Sequence, residues 1–139
     1  MRAGRLLLEQ IQRLASKRSD FGFETTLSGV TYLSLLRRLK LQGYRIQLFF
    51  LWIPTVEMAL ARITDRVRRG GHDIPEQVVR RRFSKGIAHL VTRYRPLLDS
   101  WMLFDNSGAV PQLIAREEFG ELQVFDQGVF AKIRKVADR

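Results

Sequence analysis

The stretch YRIQLFFLWI, from Tyr44 to Ile53, constrains the fold more than any other part of the chain. It opens with polar–apolar alternation and becomes an unbroken apolar run, the pattern of a strand covered on both faces in a parallel sheet. Its apolar core, Leu48 to Pro54, falls far short of the ~20 residues that a membrane span requires. A strand of this kind implies helices layered against its sheet, and the flanking sequence supplies them.

Leu7, Ile11, Leu14 and Ala15 recur at helical spacing and predict an amphipathic helix over residues 3–17. Its polar interruptions at Glu9 and Gln10 exclude a signal peptide. Phe21 to Thr26, aromatic and β-branched, reads as a short strand with Glu24 near its carboxyl end, where open α/β sheets place their ligands. Tyr32, Leu33, Leu36 and Leu39 mark a helix that stops at Gly43. Pro54-Thr55 ends the central strand and caps a helix with Ala59, Leu60, Ile63 and Val67 on one face. Val79, Phe83, Ile87, Leu90, Val91 and Tyr94 form one long helical stripe, which Pro96 disrupts. Trp101 to Phe104 is a second buried strand, and Asp105-Asn106-Ser107-Gly108 a turn. Gln112–Arg116 and Glu121–Phe125, split by Phe119-Gly120, predict a terminal hairpin or two edge segments. A last helix is expected from Asp126 to Val136. This order is that of an α/β layered domain with a parallel sheet. With no repeat and no linker, residues 1–139 read as a single domain.

Charge singles out one region. The chain carries a net charge of +10, and 10 of its 24 basic residues lie between Arg62 and Arg95, against three acids, Asp65, Asp73 and Glu76. Such a balance implies an anionic partner: a nucleotide, nucleic acid or an anionic surface. Within that region, RVRRGGHDIPEQVVRRRF places arginine clusters on both sides of a loop containing Gly70, Gly71 and His72. Asp73 and Glu76 have capping-box spacing, and Pro75 suits a first helical turn. A hinge between two guanidinium-bearing helices suits a loop that closes over phosphate, which Arg holds through a planar fork of donors.

Other chemistries are excluded. There is no cysteine, hence no disulfide framework and no thiolate metal site, which suits a reducing cytoplasm. His72 and His89 have no second ligand at useful spacing, so the protein alone is not expected to hold a metal. His89 reads as a helix-surface residue. No GxGxxG and no nucleophile-elbow signature occurs.

Four segments, FGFETTLSG, YRIQLFFLWIP, GGHDIPEQVVRRRF and YRPLLDSWMLFDNSG, together resemble the zeta-toxin-like P-loop kinases, and more narrowly a bacterial branch described as ATPases. The resemblance covers residues 3–118, a kinase-like core, and leaves residues 119–139 as a C-terminal extension. It implies a doubly wound nucleotide-kinase fold and ATP-dependent phosphorylation of a small acceptor, in the family a UDP-activated amino sugar. ATP and Mg2+ follow as implied cofactors, and the nucleotide and a small-molecule phosphate acceptor as partners. By the same resemblance Glu24 faces substrate and magnesium, with Thr25 and Thr26 beside it. Arg69, His72, Arg81 and Arg82 belong to the phosphate-binding lid, and Asp105 and Asn106 to the loop beside the adenine.

The family opens with a strand and a GxxxxGKS/T loop that hold the phosphates, and neither occurs in this sequence. The acidic general base expected after that loop is also absent, and Val30 stands where a basic residue is expected. The expected fold is therefore a partial doubly wound parallel sheet lacking its central first strand, with a small C-terminal hairpin. Its function would be that of a truncated or inactive ATP-binding phosphotransferase. The neighbours of the absent strand would expose apolar edges, which predicts marginal stability, self-association or a partner chain that supplies the segment. The reading from another class is a basic nucleic-acid-binding or protein-interaction module, with the cations of residues 80–95 tracking a phosphate backbone near Tyr94 and Trp101.

Overall fold

A computed structural model describes residues 2–137, with side chains from residue 5. Two of the three residues outside it, 138 and 139, end the expected C-terminal extension. The elements in order are α1 (Arg2–Ser16), α2 (Thr31–Leu41), β1 (Gln47–Trp52), α3 (Val56–Arg68), α4 (Glu76–His89), β2 (Ser100–Asp105), β3 (Gln112–Glu118), β4 (Glu121–Val124) and α5 (Gln127–Ala137). Between α4 and β2 the chain forms a π turn, Leu90–Tyr94, and a 3-10 turn, Arg95–Leu97. Pro96 explains this: it has no N–H for an α-helical ladder, and the wider and tighter turns absorb the break.

The sheet has the order β1-β2-β3-β4. β1 and β2 are parallel, pairing Leu48 with Trp101 and Phe50 with Leu103, whereas β2–β3 and β3–β4 are antiparallel. The α/β class and the terminal hairpin are as the sequence implies, but the sheet is mixed, with a single parallel pair among the described residues. Short turns make the difference. The six residues between β2 and β3 permit a hairpin return, while a parallel crossover needs a dozen or more.

One face of the sheet carries the core. Trp101 and Leu103 of β2, Ile114 and Ala115 of β3, Ile11 of α1 and Ile133 of α5 all belong to it. Leu33, Leu35, Leu36 and Leu39 of α2 pack into the same cluster. β1 itself is covered on one face only. Leu48, Phe50 and Trp52 are half-buried, but Phe49 and Leu51 keep 63% and 55% of their surface exposed. The expectation of coverage on both faces therefore fails, because α3, the helix that follows β1, has no buried residue.

Phe21 to Thr26 is not a strand. The segment belongs to no strand ladder, and a β conformation without a ladder has no partner for its backbone groups. Its aromatic rings still pack, Phe21 edge-on to Tyr44 at 5.6 Å and Phe23 against Tyr32 at 5.2 Å. Tyr44 and Ile46, read as strand, also lie outside β1. Asp99 holds Ile46 instead, accepting from its N–H at 2.7 Å and donating a backbone N–H to its carbonyl at 2.9 Å.

Thr55 caps α3 by accepting from Met58 N–H at 3.2 Å. The capping box expected at Asp73 does not form. α4 begins at Glu76 with Pro75 at the cap and no side-chain cap bond, and Glu76 instead accepts from Arg80 one turn on, at 2.8 and 3.0 Å.

Candidate functional site

A groove of about 1410 Å³ runs along the free edge of β1. Its lining includes β1 itself, from Gln47 to Ile53, and the segment Phe23–Leu27, which belongs to no helix or strand. Its lining is largely apolar, with polar groups that include Glu24, Asp105, Arg66, Arg82 and Lys132. Asp105 ends β2 and Trp52 ends β1, so the groove reaches the carboxyl ends of the two parallel strands, the side on which open α/β sheets bind ligands.

Three elements aim the charged groups. Glu24 stands exposed on the segment Phe23–Leu27, with Thr25 and Thr26 next to it in the lining. The two threonine hydroxyls brace their own turn: Thr25 Oγ1 accepts from Leu27 N–H at 3.2 Å, and Thr26 Oγ1 lies 2.9 Å from Ser28 Oγ. Arg82 comes from α4, half-buried on the stripe that also carries Val79 and Gly86. Arg66 comes from α3, one turn beyond Ile63, which also lines the groove.

Asp105 accepts from Ser107 N–H at 2.9 Å, the local bond that makes Asp-Asn-Ser-Gly a turn. Asn106 donates its N–H to the Trp52 carbonyl at 2.7 Å, tying the turn to the end of β1. The carbonyl of Asn106 in turn accepts from Arg62 Nη2. Arg62 is thus a structural tether for the Asp105-Asn106 loop.

The remaining residues expected in the site are elsewhere. Arg69 pairs with Asp65 at 3.4 Å, both exposed, and does not line the groove. Arg81 and His72 are exposed and also outside the lining. Arg80 is engaged by Glu76 at 2.8 Å and faces Glu57 at 3.8 Å. The loop between α3 and α4 takes its shape from glycine. Gly70 lies at φ +91°, its N–H reaches Val67 O at 3.0 Å, and Gly71 N–H reaches Arg66 O at 2.8 Å, closing α3 with a left-handed cap.

Sequence reasoning missed Arg66 and Lys132. Spacing could have found Arg66, which is seven residues after Ala59 and three after Ile63, and therefore on the groove-lining side of α3. Lys132 has no such signal, because the position of α5 over the sheet is set by tertiary packing.

The aromatic residues that a nucleic-acid surface would use are in the core. Tyr94 has no exposed surface and Trp101 has 5%. Among the described residues no three carboxylates, histidines or cysteines gather into a metal-binding group. No helix among them is long and apolar enough to cross a membrane.

The family model described as zeta toxin matches residues 2–110. A curated Haemophilus influenzae protein, described as an uncharacterized protein, is 35% identical over 81 residues. That alignment covers 58% of this chain and 58% of the relative, so the chain spans less than two thirds of the relative's length. No solved structure matches.

Proposed function

The chain belongs to the zeta toxin family, and on that premise we propose that its groove is the substrate side of an ATP-dependent phosphotransferase site. One observation carries the reading: Glu24, Asp105, Arg66 and Arg82 line a single concavity at the carboxyl ends of β1 and β2. Phosphoryl transfer depends on positioning and on neutralising charge at the transferred group. Arg66 and Arg82 have the chemistry to hold phosphate oxygens, and Glu24 to face the acceptor hydroxyl. The carboxylates of Glu24 and Asp105 are the hard oxygen donors in the lining that would hold Mg2+. Bound there, the ion would supply positive charge to offset that of the phosphate groups.

The same groove exceeds the ~300–1,000 Å³ usual for a small-molecule site. It is lined by β1, whose outer edge has no neighbour among the described residues, and by the segment Phe23–Leu27, which belongs to no ladder. We propose that a strand bearing the phosphate-binding loop completes the site there, from this gene product or from a partner chain, and that the described residues alone do not turn over ATP.

The test is reconstitution. The chain is mixed with a polypeptide carrying an apolar strand followed by GxxxxGKS/T, and Mg-ATP binding is measured by calorimetry. Binding that requires both components and is weakened by Arg82→Ala is the expected result. Equal Mg-ATP binding with and without the added strand would refute the completion, and no binding in either case would refute the nucleotide reading.

A further inference from the structure

Leu27 has a left-handed backbone, φ +54°, although it is neither glycine nor asparagine. Its side chain is buried at 4% exposure, so the conformation is held by its surroundings. Three groups from the α4 region supply the hold. His89 Nδ1 lies 2.6 Å from Leu27 O, and Tyr94 donates its hydroxyl to Gly29 O at 2.8 Å. Between them Gly86 meets the chain so closely that a Cβ there would stand 2.7 Å from Thr26 O, with Phe50 Cζ of β1 only 3.5 Å away.

Arg82, Gly86 and His89 follow one another at i, i+4 and i+7, along one face of α4. The helix that sends Arg82 into the groove therefore also fixes the segment that brings Glu24 to it. Because Leu27 O can only accept, the hydrogen between it and His89 belongs to Nδ1.

We propose that His89 is a positioning residue: by donating Nδ1–H to Leu27 O, it locks the Glu24–Ser28 segment onto α4 and fixes the placement of Glu24 relative to Arg82 across the groove. Gly86 permits the contact, and Tyr94 anchors its far end. The proposal rests on the groove being the ligand site, but its central contact is testable without any ligand.

The chain has two histidines, His72 and His89, so a His72→Gln variant leaves one imidazole in a nitrogen-15 spectrum. At neutral pH or above, His89 is expected as the Nδ1–H tautomer. His89→Ala is expected to shift the amide resonances of Thr25 to Ser28 and leave those of β3 and β4 in place. His89→Asn, whose amide nitrogen can replace Nδ1, is expected to restore them. Where reconstituted wild-type protein binds Mg-ATP, His89→Ala should weaken that binding about ten-fold, the loss of one part-buried hydrogen bond, and His89→Asn should recover most of it.

A dominant Nε2–H tautomer, or resonances of Thr25–Ser28 unmoved by His89→Ala, would overturn the proposal. So would Mg-ATP affinity that stays unchanged while the segment moves. If the wild type binds no nucleotide, the phosphotransferase reading fails, and the tautomer and amide shifts alone decide the role of His89. Thermal melting of each variant separates general unfolding from local release.

Discussion

Glu117 receives Arg95 through two hydrogen bonds, Nε to Oε1 at 3.0 Å and Nη2 to Oε2 at 2.5 Å, and accepts a third from Trp101 Nε1 at 3.0 Å. The guanidinium also lies 5.5 Å from the centre of the Trp101 ring. This cluster pins the 3-10 turn before β2 to β3, and with it the direction in which β2 leaves toward Asp105. Substituting Glu117→Gln removes the charge while keeping the shape. Charge-assisted, partly buried bonds of this kind contribute about 1.5–3 kcal/mol, so a loss of about 2 kcal/mol is expected in urea denaturation. A change below ~0.5 kcal/mol would place the pair with ordinary surface ion pairs.

The same cluster sets a pH dependence. The Arg95 guanidinium, aided by Trp101, holds the Glu117 carboxyl below its usual range, outweighing the opposite effect of burial. Asp99 is likewise lowered, chiefly by the Ile46 N–H and then by the Lys40 ammonium. A carboxyl lowered in the folded state contributes stability that is complete above its unfolded pKa, about 4, and is lost as pH falls through the folded value. Melting temperature is therefore expected to be insensitive to these two groups above about pH 5 and to drop below about pH 4. In Glu117→Gln and Asp99→Asn variants the acid slope should flatten. An unchanged slope in both would remove these groups as its origin.

Exposed apolar surface at a sheet edge has a further consequence. Phe49 and Leu51 stand open on β1, whose outer edge has no neighbour among the described residues. Unprotected apolar edges pair with other chains. Light scattering is expected to show association that increases with concentration, and Leu51→Lys to reduce it, since a charge on the strand opposes pairing. A wild-type monomer at high concentration, with cooperative melting at high temperature, would contradict the expectation.

The helices were legible because each carries its own signal, an apolar face at 3.6-residue spacing. The failures have a different physical origin. Phe21–Thr26 has strand-forming residues, but strand structure also needs a neighbouring backbone, and composition does not say whether one is present. The exposed face of β1 has a related origin: Phe49 and Leu51 are apolar, yet whether anything packs on them depends on the path of α3. At the groove, the arginine clusters marked the right helices. Which member points inward depends on rotation about the helix axis, which the structure fixes: Arg82 is three residues after Val79 and four before Gly86, both in the groove lining, whereas Arg81 breaks that spacing.

That rotation gives the sharpest separation among the cations. Arg82 lines the groove half-buried, while Arg81 is exposed outside it and Arg69 is occupied by Asp65. A phosphate oxygen held by a guanidinium is worth about 1.5–3 kcal/mol for a charge-assisted bond, which corresponds to roughly ten- to a hundred-fold in affinity. Arg82→Ala should therefore weaken binding of Mg-ATP or pyrophosphate by that factor. Arg69→Ala and Arg81→Ala each lower the net charge by the same single unit, but they are expected to change affinity by less than about three-fold at 0.15 M salt, where exposed charges are screened. Raising the salt should reduce the small effects of Arg69 and Arg81 further and leave most of the Arg82 effect. Equal losses for all three variants would mean that the anion senses only the overall positive field, and the groove would lose its claim to a specific phosphate contact.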